Sequence, residues 1–184
     1  MSADFSRDGF VRSCLWLCEL LGSYSFPQDL LRGLRHPESG GPDHLVAELM
    51  GRAETAVGFV MDEPLAGAWG AAVSAAALMS ARGVSAHDPR MALGRALCGV
   101  AGEADLGLLL SASSPAEFER VFVRMASLMG AERLRADWTE MAALLHDKSG
   151  TGSTFVPPSA GARLPAKVAA DFHRAAAYRG RMGR

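Results

Sequence analysis

Apolar residues recur at three- and four-residue spacing along most of the chain, and no strand-like alternation of useful length is found. The pattern predicts helices and no sheet. The clearest run is Pro115 to Gly130, where Phe118, Val121, Phe122, Met125, Leu128 and Met129 form one apolar stripe. Ser114 stands at its N-cap position, Pro115 at the first helical position and Glu117 in the first turn; Gly130 is expected to end the helix. Arg120 and Arg124, four apart, share a flank away from the stripe.

The same reading predicts a helix from Arg7 to Leu21, capped by Ser6, with Phe10, Cys14, Leu17 and Leu21 inward. Gln28 to Arg35 follows Pro27, with Leu30, Leu31 and Leu34 inward and Arg32 and Arg35 outward. His36 to Pro42 reads as a loop. A helix capped by Asp43 carries Leu45, Leu49, Val57 and Val60, and an Ala-rich one runs from Pro64 to Arg82, with Gly83 closing it. His87-Asp88-Pro89 announces a short helix holding Arg95 and Leu97, broken by Gly99 and Gly102; Glu103 to Ser111 is the next. Asp137-Trp138 opens a helix through Met141, Leu144 and Leu145, and Pro165 to Tyr178 buries Val168, Phe172 and Ala176 while exposing Lys167 and Arg174. The expected class is all-α: eight to nine helices in two packed subdomains, residues 1–83 and 84–184, with a flexible loop at 148–163 rich in Gly, Ser, Thr and Pro.

Composition narrows the class. With 49% apolar residues over 184 positions the chain can bury a core, which excludes a disordered protein. No apolar run has the roughly 20 residues of a membrane span, and Met1 to Asp8 lacks a basic start followed by an apolar block, so a cytoplasmic location without membrane contact is expected. The net charge of −1 conceals a basic end: Arg163, Lys167, Arg174, Arg179, Arg181 and Arg184 face one acid, Asp171. Such a localised excess suits an anionic contact confined to part of the surface.

Catalytic motifs are missing: no nucleophile elbow, no His-Glu-x-x-His and no phosphate loop ending in Lys-Ser/Thr. Gly150-Thr151-Gly152-Ser153 follows no strand and reads as linker. The odd set Cys14, Cys18 and Cys98 reads as small core residues; His44 with Glu48 and His87 with Asp88 read as surface polar groups or caps; Trp16, Trp69 and Trp138 read as core. No enzyme activity, metal or cofactor is expected. What remains is a set of outward cations on helices, Arg32, Arg35, Arg95, Arg120, Arg124, Lys167 and Arg174, the residue type that tracks phosphates without needing a motif.

Several segments, in order, resemble the small subunit of the type I-E CRISPR Cascade complex, the CasB-like proteins. Leu93-Gly94-Arg95-Ala96-Leu97 is similar to that family's Leu-Gly-Arg-Ala-Leu, and Leu109-Leu110-Ser111-Ala112 followed by Phe118 to Met129 to its Leu-Leu-x-Ala and Leu-Arg-Arg-Leu helix. Asp137-Trp138 with Met141 to Leu145 resembles its Asp-Trp helix, and Asp171-Phe172 its closing Asp-Phe. Phe10-Val11 through Pro37 resembles the opening more loosely. The chain departs where Val123 stands before Arg124 in place of a double Arg, and where Glu103-Ala104-Asp105 replaces a basic position.

The resemblance implies a non-catalytic all-α scaffold of two subdomains. It would work beside other Cascade subunits and a second copy of itself, and stabilise the R-loop through backbone phosphates of the displaced strand and contacts near the guide RNA–target duplex. Sequence reading would be left to base pairing. A second expectation comes from Tyr24-Ser25-Phe26-Pro27 before Leu30-Leu31, which resembles the opening of the all-helical chaperones that mature exported redox enzymes.

Overall fold

The computed structural model describes residues 3–35, 43–148 and 163–182, and among them nine α-helices and no strand. The helices are α1 (Ala3–Gly22), α2 (Gln28–Arg35), α3 (Asp43–Val57), α4 (Glu63–Met79), α5 (Leu93–Cys98), α6 (Glu103–Ser111), α7 (Pro115–Ala131), α8 (Trp138–Lys148) and α9 (Arg163–Met182). The protein is all-α, as the periodicity predicts. The loop expected at 36–42 lies outside the described residues, as does the loop expected at 148–163 apart from its ends, Lys148 and Arg163, which are helical.

Buried apolar side chains from α1 to α9 join into one cluster around Trp69, Trp138, Phe10, Phe118 and Phe122. Within it α1 lies along α8, α4 along α7 and α5 along α9. After α4 the chain makes a tight turn in which Ala81 and Val84 exchange both backbone hydrogen bonds. Cys14 and Cys18 are fully buried on α1, and burial pushes both thiols well above their ordinary range.

Local chemistry moves several predicted boundaries. Helix α1 begins at Ala3, so Ser6 sits inside it and its hydroxyl faces His146 instead of capping. Helix α3 stops at Val57; Gly58 takes φ 70°, the Glu54 carboxylate accepts from the Met61 N–H at 2.7 Å, and Val60 is 74% exposed instead of buried. Helix α4, capped by Asp62 at the Leu65 N–H, ends at Met79 because Ser80 is extended; Gly83 serves the following turn, not the helix end. Gly130 does not stop α7. It lies within the helix where α4 crosses, and a Cβ there would overlap the carbonyl oxygen of Leu78; the chain reverses at Arg133, φ 54°. Leu30 and Ala176, expected inward, are exposed.

Candidate nucleic-acid interface

The seven predicted cations divide by what holds them. Arg32 on α2 and Arg95 on α5 are exposed and make no hydrogen bond or ion pair with any described residue. Arg120 is exposed on α7, one turn from Glu117. Arg124 reaches Asp105 of α6 at 3.4 Å with most of its side chain in solvent, an exposed pair worth little.

Arg35 contradicts its expected outward direction. Its Nε donates to the Ala77 carbonyl at 2.8 Å and its Nη2 to the Ser80 carbonyl, so the guanidinium closes the C-terminal end of α4. Carbonyls left open at a helix end attract a cation, and here α2 delivers one. Arg35 is structural.

Lys167 and Arg174 are exposed on α9, as expected, and both bind Asp171, at 3.1 and 2.8 Å. Lys167 also pairs with Glu140 of α8, a buried carboxylate that accepts the Leu93 N–H at the start of α5 at 2.7 Å. That bond to Glu140, with Asp171 adding to it, raises the Lys167 ammonium above its ordinary range. Gly94 completes the joint. A Cβ there would overlap the Val168 carbonyl oxygen and stand 2.8 Å from the Phe172 nitrogen, so the helices touch backbone to backbone. At the far end Arg179 donates to the Cys98 carbonyl at 2.6 Å. Helix α9 is thus clamped at both ends, with Arg95 on the adjoining surface of α5. No hydrogen bond or ion pair among the described residues joins the Arg32, Arg124 and Lys167 groups to one another.

His87 is a cap, but of α8 and not of the helix holding Arg95 expected after it: its Nδ1 accepts the Trp138 N–H at 3.0 Å, whereas α5 starts at Leu93 with no side-chain cap. Asp88 accepts from Arg90 and pairs with Arg135 at 2.9 Å. Trp69 and Trp138 fill the core, whereas Trp16 is only partly buried. It floors a shallow groove of about 450 Å³ between α1 and α3, with the Arg52 guanidinium 6.0 Å above its ring.

One constellation is absent from the sequence reading. Ser6 Oγ lies 3.4 Å from His146 Nε2, and His146 Nδ1 lies 3.4 Å from Asp147 Oδ1, the order of a nucleophile, base and orienter. Both contacts are at the outer limit of hydrogen bonding, the imidazole is buried, and Arg7 engages the other Asp147 oxygen at 3.2 Å. The cluster ties α1 to α8. Among the described residues no group of three His, Cys, Asp or Glu could hold a metal ion, and no helix is long and apolar enough to cross a membrane.

No protein-family model, no curated protein and no solved structure matches this chain.

Proposed function

We propose that this chain is the non-catalytic small subunit of a type I-E CRISPR RNA-guided surveillance complex. In that role it is a cytoplasmic scaffold that stabilises the R-loop through phosphate contacts to the displaced DNA strand and the guide–target duplex. The observation that carries the reading is the state of Arg95 and Arg32. Each stands exposed, with no partner among the described residues, on a helix whose other side is locked into the core. A guanidinium carried on a helix that is locked into the core is held over a fixed part of the surface and offers a planar fork to an anion. The ordered segments that resemble CasB-like proteins supply the identity of that anion, and the scattered placement of the cations suits a protein that follows a backbone without reading bases.

The test is purification of the chain from cells expressing its neighbouring genes, followed by sequencing of the co-purified nucleic acid. A guide RNA of one length with several partner proteins is expected. Recovery of one large redox subunit without RNA would replace this reading with that of a maturation chaperone.

A further inference from the structure

Tyr24 is the most exposed aromatic side chain among the described residues, at 73%, and it is held in place with some care. Its loop is braced by a 2.7 Å contact between the Ser23 and Ser25 hydroxyls, by the Ser25 N–H on Ser23 Oγ, and by the Phe26 N–H on the Ser23 carbonyl; Phe26 itself is anchored in the core. The ring lies against the 81–84 turn. Gly83, at φ 74°, has no side chain there, and a Cβ would overlap the ring and come within 2.6 Å of its hydroxyl. The turn is in turn seated on the end of α1, where a Cβ on Gly22 would be 2.6 Å from the Ser85 backbone. The Arg82 guanidinium stands 6.0 Å from the ring centroid, and no carboxylate pairs with it among the described residues.

We propose that Tyr24 is a stacking platform for an unpaired nucleobase, with Arg82 beside it taking the adjoining phosphate. The site rests on the nucleic-acid reading above and adds to it a contact suited to a single strand, since the faces of bases inside a duplex are already stacked on their neighbours. An aromatic ring flanked by Arg is the usual unit of sequence-tolerant single-strand binding. Local charge favours the nucleic acid: residues 23–35 and 80–86 carry Arg32, Arg35 and Arg82 against one acid, Asp29. With Arg35 engaged on α4, Arg32 and Arg82 are left for phosphates. The pre-set loop and turn reduce what must be ordered on binding.

The purified full-length chain is titrated, by fluorescence anisotropy at low salt, against a labelled oligothymidylate and an abasic oligonucleotide of equal length. The wild-type chain is expected to prefer the strand with bases. Tyr24→Ala should weaken that binding roughly tenfold and erase the preference, while Tyr24→Phe keeps both. Arg82→Ala should weaken both strands and lower the salt slope by about one. Equal binding of the two strands by the wild-type chain, or a Tyr24→Ala chain indistinguishable from it, overturns the platform. If no oligonucleotide binds but guide RNA still co-purifies with the assembled complex, the platform fails and the scaffold reading stands. If Tyr24→Ala leaves oligonucleotide binding unchanged but expels a protein from that complex, the patch docks protein and the proposal is wrong.

Discussion

The buried carboxylate of Glu140 accepts the Leu93 N–H at 2.7 Å and, through its other oxygen, holds Lys167. One side chain of α8 therefore fixes the start of α5 and the first turns of α9. Glu140→Ala removes an acceptor from a buried N–H and the main partner of Lys167, and should lower stability by about 2 kcal/mol in denaturant unfolding. Because Lys167 is raised in the folded chain, its contribution is complete below the ordinary lysine value of 10.5 and is lost as pH rises through the higher folded value. The stability gap between wild type and Lys167→Met should close in that alkaline window.

Gly94 is set by the helix it touches. Gly94→Ala forces α9 away from α5 and should cost about 1–3 kcal/mol as overpacking. Faster amide exchange over 163–182 than elsewhere is the expected signature, and uniform exchange would show that the joint absorbs the methyl.

Phe122 packs at 5.7 Å from the Phe118 ring and 6.4 Å from that of Trp138, and is 2% exposed. Phe122→Ala should cost about 3–5 kcal/mol in the same assay.

Arg95 and Arg35 separate binding from folding. Arg95→Ala should leave the melting temperature nearly unchanged, since no described residue depends on it; under the proposed scaffold role it should also weaken R-loop stability in the assembled complex, more so with Arg124→Ala added. Arg35→Ala should lower stability by about 1–3 kcal/mol through the carbonyls it leaves open. The reverse pattern would sink the division made between them.

Glu117 accepts hydrogen bonds from the Ser113 N–H and hydroxyl, both at 3.0 Å, and the backbone bond leads in holding its carboxyl below the ordinary 4.5. A depressed folded value contributes stability above the unfolded value that is lost as pH falls through the folded one. The advantage of wild type over Glu117→Gln should be present at neutral pH and fade as pH falls below the ordinary 4.5 through the lowered folded value.

Much of this was legible in the chain. The stripe from Phe118 to Met129, the Ser114 cap, and the bounds of α2 and α6 follow from spacing and capping chemistry, which act within a few residues. What escaped depends on partners distant in sequence. Glu140 announces itself only as an acid in the first turn of a largely apolar helix. Arg35 looks outward until α4 is brought to it. Gly130 reads as a helix stop, and nothing near Gly94 in the chain shows that it, too, marks a helix crossing. For every candidate cation but Arg35, exposure followed from periodicity; whether a carboxylate or carbonyl stands opposite each one did not.

Cys14 and Cys18 give the chain a clock. Both thiols are sealed on the inner side of α1 and resist ionisation there, so a thiol-directed reagent at neutral pH reaches them only after α1 lifts from α8 and α4. In the native chain the rate of their modification therefore times how often that helix departs. A cysteine introduced on the outer surface would take a label long before either of them.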